Sequence, residues 1–240
     1  MLEKIKRTTP AIIKQVVRTA QLQHRLWRAA RHIAALPPGV VPSRQLLQEL
    51  LAGWSNEGFA ADLNYLEALS AQAVATPGPV LECGTGATTI LLGLLAGRRG
   101  VEIWSLENSP EWISRIRKAL SRSRIPGIRL CYAPLRDYGG FEWYNAPMGH
   151  MPTDFRLVVC DGPPGSTPGG RYGLLPVMSG HVSRKAVVLL DDASRTGEGA
   201  VVEEWKRQWP LSVSLHQSGH GAYASISFLD SERSSDSECG

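Results

Sequence analysis

The stretch Val80-Leu-Glu-Cys-Gly-Thr-Gly-Ala-Thr-Thr89 decides the fold of this chain. Residues 79–83 are short, apolar and preceded by a Pro-Gly pair, which is typical of a buried strand. Gly84 and Gly86 then form a turn without Cβ atoms, and residues 87–95 follow helical spacing. A strand, a glycine turn and a helix N-terminus together predict a nucleotide-type ligand site at the carboxyl edge of a parallel sheet.

The same turn departs from the dinucleotide-binding fingerprint in two ways. Thr89 stands where the third glycine of that fingerprint would be. Glu82 places a carboxylate at the end of the strand, where it would repel a pyrophosphate. A ligand that carries a cationic amine suits this position better, so the turn disfavours a nicotinamide oxidoreductase.

Length and composition fit either one large globular domain or a domain with an appendage. The chain has 240 residues, and 43% of them are hydrophobic, which is enough for a sizeable core. It contains neither an apolar run of about 18 residues nor the apolar stretch and cleavage site of a secretory signal. None of the four cysteines forms a C-x-x-C pair. We therefore expect a cytoplasmic protein with buried, reduced thiols.

Positive charge is concentrated in the N-terminal segment. Residues 1–36 contain eight Lys and Arg against one Glu, whereas residues 37–240 contain 18 Lys and Arg against 21 Asp and Glu. Residues 10–36 are helical by pattern and carry an apolar stripe formed by Ile13, Val16, Val17, Ala20, Trp27, Ala30 and Ala34. We expect this stripe to pack on the core or on a second subunit of a homo-oligomer. A surface for nucleic acid or for anionic lipid is the alternative.

The rest of the chain alternates helices and strands. Further helices are predicted at residues 42–51, 59–75, 110–121 and 199–209, and strands at residues 101–106, 128–132, 155–160 and 186–190. Residues 133–153 and 162–170 have no regular pattern, and residues 211–229 carry the signal of a closing hairpin. The order predicts an α/β fold with a Rossmann-like, mainly parallel sheet that has one antiparallel strand.

Carboxylates follow four of the predicted strands, at Glu82, Glu107, Asp161 and the pair Asp191-Asp192. Because the carboxyl ends of parallel strands line the ligand crevice, we expect these side chains to lie close together. Glu107 lies about 20 residues beyond Gly86, the spacing at which an acid at the second strand tip bonds ribose hydroxyls.

The three aspartates also offer hard oxygen ligands of the kind that Mg²⁺ or Ca²⁺ takes. In the alternative interpretation, Asp161 faces the ligand, and one of Asp191 and Asp192 caps a turn or pairs with Arg195. Arg171 or Arg195 would then relieve the repulsion within the cluster.

The combination resembles the class I S-adenosylmethionine-dependent methyltransferases across residues 60–229. Residues 80–89 resemble their first motif, and residues 103–112 resemble the second. Residues 157–165 (Leu-Val-Val-Cys-Asp-Gly-Pro-Pro-Gly), followed by Arg171-Tyr172, resemble the fourth motif of a bacterial subfamily of small class I enzymes. The resemblance implies a seven-stranded sheet in the order 3-2-1-4-5-7-6 with a reversed last strand. It also implies three regions: an N-terminal helical extension (1–58), the methyltransferase domain (59–230) and a disordered tail (231–240).

The resemblance further implies a site for S-adenosylmethionine formed by Glu82, Gly84, Thr85, Gly86, Thr88, Glu107, Asn108 and Asp161. Glu82 and the glycine turn would hold the methionine part, and Glu107 the ribose. One departure concerns adenine: Ala133-Pro134-Leu135 stands where many relatives carry an acidic or amide residue. Backbone groups and apolar contacts, or Arg136 or Asp137, would have to hold the adenine instead.

The acceptor side has Asp161 as its catalytic residue. Asp161, Asp191 and Asp192 together resemble the Mg²⁺ site of catechol-type O-methyltransferases. We expect methyl transfer to a hydroxyl of a small-molecule acceptor, with Mg²⁺ lowering the pKa of that hydroxyl, so that chelation abolishes turnover. Residues 162–170 and the aromatic stretch 138–144 would close over the acceptor.

Other interpretations start from different features of the chain. The basic N-terminal helix favours an RNA methyltransferase, and a third possibility is a non-catalytic interaction protein that keeps the fold. Gly162 and Gly165 depart from the Asp/Asn-Pro-Pro-aromatic signature of amino-group methylation in DNA. His181, His216 and His220 are weaker candidates for a general base.

Overall fold

The computed structural model describes residues 11–55, 61–219 and 221–229. Phe59, at which one predicted helix begins, His220 and the tail predicted at residues 231–240 lie outside the described residues.

A seven-stranded sheet forms the centre of the protein, with the order β3-β2-β1-β6-β7-β9-β8. Its strands are β1 (Val80–Cys83), β2 (Ile103–Glu107), β3 (Ile128–Tyr132), β6 (Phe155–Cys160), β7 (Val182–Leu190), β8 (Leu211–Ser218) and β9 (Gly221–Phe228). Strand β9 runs antiparallel to both of its neighbours, and the other pairs are parallel. The predicted α/β class, strand order and reversed last strand are confirmed.

Strands β1 and β2 are buried at every position, as expected for central parallel strands that are covered on both faces. Their register aligns Glu82 with Ser105, and on the other side of β1 it aligns Cys83 with Cys160. The strands therefore end level with one another, and the residues that follow them meet at one edge of the sheet.

Helices cover both faces of the sheet. They are α1 (Ala11–Ala35), α2 (Arg44–Trp54), α3 (Leu63–Ala75), α4 (Ala87–Leu95), α5 (Pro110–Ser123), α6 (Leu174–Met178) and α7 (Thr196–Gln208). The first five pack on one face and the last two on the other. Ser109 caps α5: its Oγ accepts a hydrogen bond from the Trp112 amide at 3.1 Å, and Pro110 is the first helical residue.

Two stretches differ from the sequence-based expectation. The region 133–153, predicted to be irregular, contains a hairpin of β4 (Leu135–Asp137) and β5 (Glu142–Tyr144). Each strand has three residues, which is too short for a period-2 pattern to show in the sequence. Strand β7 also starts four residues earlier than predicted, because an irregularity in its pairing with β6 interrupts the apolar pattern.

Helix α1 divides into two halves that have different surroundings. Leu26, Ala29 and Ile33 are buried against the domain in its C-terminal half. The predicted stripe packs on the core only at its C-terminal end, where Ala30 is buried and Ala34 is half-buried. Its other members, Ile13, Val16, Val17, Ala20 and Trp27, are exposed. The buried stripe lies on another face of the helix, where Leu and Ala meet α2 closely. Contact of the exposed stripe with a second subunit stays a prediction.

None of the helices within the described ranges combines the length and the apolar character that crossing a bilayer requires.

Close approach of α1 and α2 depends on Gly53. A Cβ atom at this position would overlap the backbone of Leu26, which cannot move without shifting α1. We expect Gly53→Ala to lower the free energy of unfolding by roughly 1–3 kcal/mol, as overpacked cores do. Urea denaturation measures the change.

Gly199→Ala is the matched control, because Gly199 lies in α7 and its added Cβ would meet no atom within 4 Å. This variant should gain up to about 1 kcal/mol from helix propensity. Equal effects of the two substitutions would contradict the close approach at Gly53.

Candidate active site

The glycine turn after β1 uses its two glycines differently. Gly84 has φ of 85°, which side chains rarely adopt, and a Cβ there would lie 2.8 Å from the Gly162 nitrogen. Gly86 has an extended backbone with φ of −178°, and its Cβ would meet nothing nearer than the Thr88 Oγ1 at 4.0 Å. Gly84 therefore allows two turns of the chain to touch, and the open space for a ligand lies beside Gly86.

Glu107 joins the tip of β2 to this turn. Its Oε2 accepts hydrogen bonds from the Thr85 amide at 3.1 Å and the Thr85 hydroxyl at 2.8 Å, and its Oε1 accepts one from the Ser109 amide at 2.9 Å. A carboxylate has about four acceptor directions, so roughly one remains for a ligand. Glu107 positions Thr85, and its contact with ribose stays a prediction.

Trp112 supports the turn from outside and was not predicted to do so. Its indole Nε1 donates a hydrogen bond to the Thr85 carbonyl. The ring meets Trp54 edge-on, with centroids 6.0 Å apart, and the Arg115 guanidinium lies over both rings at 4.7 and 4.4 Å. These contacts connect the turn to α5 and to the C-terminal end of α2.

Glu82 is fully buried beneath the turn. Its two oxygens accept hydrogen bonds from the hydroxyls of Thr88 and Ser105, each at 2.6 Å. Burial raises the pKa of Glu82 to about 7, and the two hydroxyl hydrogen bonds oppose this effect. The carboxylate therefore links β1, β2 and α4, and its contact with a ligand amine stays a prediction. Ser105 was not predicted, although a lone serine in an apolar strand is a visible signal.

The three aspartates meet around the side chain of Arg171, which is only 3% exposed. Its Nη2 donates to the Asp161 carbonyl at 2.9 Å, the Asp161 Oδ1 at 3.2 Å and the Asp192 Oδ2 at 3.0 Å, and its Nη1 donates to the Asp191 carbonyl. Arg195 pairs with the same Asp192 Oδ2 at 2.9 Å. One oxygen from each aspartate lies within 4.8 Å of the others, so these three of the strand-end carboxylates lie close together.

Burial and mutual repulsion act together on these carboxyl groups. Burial raises the pKa of Asp161 well above its ordinary range; Arg171 opposes the shift, and Asp191 and Asp192 reinforce it. Burial also raises the pKa of Asp191 to about 6, with Asp192 acting in the same direction. The side chain of Asp161 is 29% exposed. Solvent therefore reduces the effect of burial on the pKa of Asp161, and the carboxyl group can exchange its proton with water.

A resident divalent cation does not fit the aspartates as they are placed. The donor type and number suit Mg²⁺. However, the Asp161 Oδ1 and the Asp192 Oδ2 that would bind it already face the buried guanidinium of Arg171. An ion at this point would place two more positive charges beside that group. The Mg²⁺ site at Asp161, Asp191 and Asp192 stays a prediction.

Buried polar atoms lack partners on the acceptor side of the site. The Tyr144 hydroxyl is buried and has no hydrogen-bond partner among the described residues. It lies so close to Gly162 that a Cβ there would overlap it. Glu198 Oε1 is also unpartnered, 3.2 Å from the position of a Cβ on Gly165. Such groups cost stability unless a ligand or water satisfies them.

The two segments expected to cover the acceptor contact each other. The Glu142 amide donates to the Pro168 carbonyl at 2.9 Å, and Phe141 packs edge-on against Tyr172 with ring centroids 5.0 Å apart. Trp143 and Tyr144 are fully buried. The hairpin β4–β5 and the loop 162–170 therefore form one wall beside Asp161.

The remaining candidates lie at the margin of the site or away from it. Asn108 is half-buried at the tip of β2, and Arg136 and Asp137 are exposed. Asp137 accepts a hydrogen bond from the Gly139 amide at 2.8 Å and so closes the hairpin turn. His181 contacts the Pro152 carbonyl, and His216 contacts Ser225, each at 2.8 Å, so neither faces the aspartates.

Comparisons with known proteins give fold-level likeness. No family model and no curated protein matches the chain. The SAH-bound methyltransferase PaMTH1 of Podospora anserina matches with a TM-score of 0.54 and 15% identity, over 81% of this chain and 89% of that one. Precorrin-6y C5,15-methyltransferase of Geobacter metallireducens GS-15 matches with a TM-score of 0.52 and 13% identity, over 73% and 93%. The N-terminal domain of human METTL16 in complex with SAH matches with a TM-score of 0.51 and 15% identity, over 78% and 84%.

The chain has the methyltransferase fold. At sequence identities of 13–15%, the likeness to these structures establishes the fold. The roles of the site residues depend on their own positions and contacts. In this fold the glycine turn, Glu107 and the aspartates occupy one edge of the sheet, as their positions at the strand ends require.

Glu82 should make stability depend on pH. Its pKa is raised on folding, so the stability that its proton confers is present at low pH and is lost as pH rises through about 7. We expect Glu82→Gln to reduce the fall in unfolding free energy between pH 5 and pH 8 by roughly 2 kcal/mol. Urea titrations at both pH values measure this.

Glu203→Gln serves as the control, because the Glu203 side chain is 62% exposed. If the Glu82 and Glu203 variants keep the same pH dependence as the parent, Glu82 does not hold a proton in the folded state.

Proposed function

We propose that this protein is an S-adenosylmethionine-dependent methyltransferase that methylates a hydroxyl group of a small molecule. The observation that carries the proposal is the meeting of the glycine turn, Glu107 and Asp161 at one edge of a methyltransferase-fold sheet. The SAH-bound proteins among the similar structures support the choice of methyl donor. When bound, S-adenosylmethionine supplies an electrophilic methyl group on a sulfonium.

On the donor side, the chain offers groups of suitable chemistry. The free acceptor direction of Glu107 suits a ribose hydroxyl, and Asn108 lies beside it at the strand tip. The open space at Gly86 lets a ligand approach the N-terminus of α4. The buried carboxylate of Glu82 favours a cationic ligand, because a nearby positive charge would offset the cost of its ionisation.

On the acceptor side, Asp161 is the candidate general base. Its raised pKa brings proton uptake closer to neutral pH, where a carboxylate removes a hydroxyl proton more effectively. Arg171 fixes its orientation through the Asp161 carbonyl and Oδ1. Methyl transfer is an in-line displacement, so a base held by buried contacts and a closed wall of β4–β5 and loop 162–170 supply alignment.

The proposal also includes the subfamily that the fourth motif resembles. The Asp161-Gly-Pro-Pro-Gly165 segment supports a place among the small bacterial enzymes with this fourth motif. The three aspartates match the catechol-type O-methyltransferases in their places at the strand ends, but Arg171 contacts two of the carboxylates that would hold Mg²⁺ there. We therefore propose this likeness without a resident metal ion.

An RNA methyltransferase is the competing function, favoured by the basic N-terminal helix. It requires RNA binding that weakens steeply with salt and that deletion of residues 1–36 removes. A screen of small hydroxyl compounds and RNA with a labelled methyl donor separates the two functions.

Donor binding should depend on Glu107. We expect Glu107→Gln to weaken S-adenosylmethionine binding by roughly 1–3 kcal/mol in calorimetry, the cost of leaving a ribose hydroxyl poorly paired. Thr85→Ala tests whether the loss comes only from the disturbed turn, because it removes the Thr85 hydroxyl and leaves the Glu107 carboxylate.

The exposed neighbour Glu111 provides the control through Glu111→Gln, which should bind the donor as the parent does. Equal losses in the Glu107 and Thr85 variants would remove Glu107 from direct ribose binding.

Metal dependence can be decided by chelation. We expect turnover to persist in excess EDTA, because Arg171 already neutralises the aspartates, and to rise with pH as Asp161 loses its proton. Asp161→Asn should abolish turnover and leave donor affinity nearly unchanged. Loss of turnover in EDTA that Mg²⁺ restores would instead support the metal site, particularly if Asp191→Asn raises the concentration of Mg²⁺ required.

A further inference from the structure

One face of α1, from Ile13 to Trp27, is apolar, and nothing among the described residues covers it. Ile13, Val16 and Val17 are 51%, 62% and 48% exposed, and Trp27 is 38% exposed. Because each helical residue advances by about 100°, these side chains and Ala20 fall on one face. We call this set the α1 stripe. Exposed apolar groups in such a set mark an interaction surface.

Cations border the α1 stripe on both sides. Lys14 and Arg25 lie on α1 itself, about a quarter turn away from the stripe. On the other side a groove of about 770 Å³ separates α1 from α5, and its far wall carries Arg115, Lys118 and Arg122 against one acidic residue, Glu111. The sequence contains no Asp or Glu between residues 4 and 48. The surface therefore combines an apolar strip with a positive field.

This combination selects one class of partner. A second copy of the chain would bring two sets of like charges together. Nucleic acid would satisfy the cations but would leave Ile13, Val16 and Val17 in contact with water. An anionic bilayer satisfies both, because the apolar face of an amphipathic helix enters the headgroup boundary while Lys and Arg meet the lipid phosphates.

We propose that the α1 stripe, with Lys14, Arg25, Lys118 and Arg122, docks this protein on the surface of an anionic lipid membrane. Trp27 suits the interface, because its ring is amphipathic and carries the Arg31 guanidinium 4.7 Å from its centroid. The buried stripe of α1 keeps the helix attached to the domain, so the exposed half is presented as a preformed helix. This proposal is independent of the methyl-transfer chemistry.

Vesicle co-sedimentation of the full chain tests the proposal. We expect binding to vesicles of phosphatidylcholine mixed with phosphatidylglycerol and much weaker binding to phosphatidylcholine alone. Replacing Ile13, Val16 and Val17 together by Ser should reduce the binding on the order of tenfold. The double variant Lys118→Glu with Arg122→Glu should reduce it to a similar extent.

Matched controls exist elsewhere on the surface. Leu215 is 63% exposed on β8, and Leu215→Ser should leave vesicle binding unchanged. Lys185→Glu, at an exposed position of β7, controls for the change of charge. Circular dichroism and thermal melting of each variant show that it is folded.

Three results would overturn the proposal. The first is equal binding to neutral and anionic vesicles. The second is full vesicle binding by the triple Ser variant. The third is the absence of vesicle binding, together with light scattering that shows a dimer for the parent protein and a monomer for the triple Ser variant. That result would assign the α1 stripe to contact with a second copy of the chain.

Discussion

The buried guanidinium of Arg171 is the group on which the aspartate cluster at the edge of the sheet depends. It donates to two carbonyls that follow neighbouring strands and to carboxylates on both, so it fixes β6 and β7 at the same edge. Without it, Asp161, Asp191 and Asp192 would repel one another within a few ångströms. A buried charge with these partners costs much to remove, because the remaining carboxylates would be left uncompensated.

The glycine turn after β1 is held by carboxylates, of opposite charge to Arg171. Glu82 and Glu107 each accept hydrogen bonds from the glycine turn or from the helix that follows it, so the turn is preformed before any ligand arrives. Ser105 and Ser109 complete these contacts from β2 and from the start of α5. In both parts of the site, buried ionisable groups therefore hold neighbouring elements together. The proposed chemistry is assigned to side chains that keep a free hydrogen-bonding direction.

The sequence predicts the sheet and the strand-end carboxylates well, because both follow from short-range pattern and from the geometry of parallel strands. It does not predict which neighbour satisfies each carboxylate. Arg171 reaches Asp161 and Asp192 across ten and 21 residues, and Ser105 reaches Glu82 from the neighbouring strand, 23 residues away. None of these contacts leaves a periodic signal. The hairpin β4–β5 is too short to show a periodic pattern, and nothing in its sequence marks Tyr144 as a buried residue. Helix α1 carries two apolar stripes, and periodicity alone cannot tell which of them faces the core.

The backbones of Gly84 and Gly162 touch, so the glycine turn after β1 and the loop 162–170 pack directly against each other. Neither glycine can carry a side chain without displacing the other turn, since a Cβ on either would lie about 2.9 Å from the opposite backbone. A movement of the loop 162–170 at Gly162 would therefore displace the glycine turn that follows β1. A side chain at Gly84 or at Gly162 would disturb both turns at once, so the two positions are constrained as a pair.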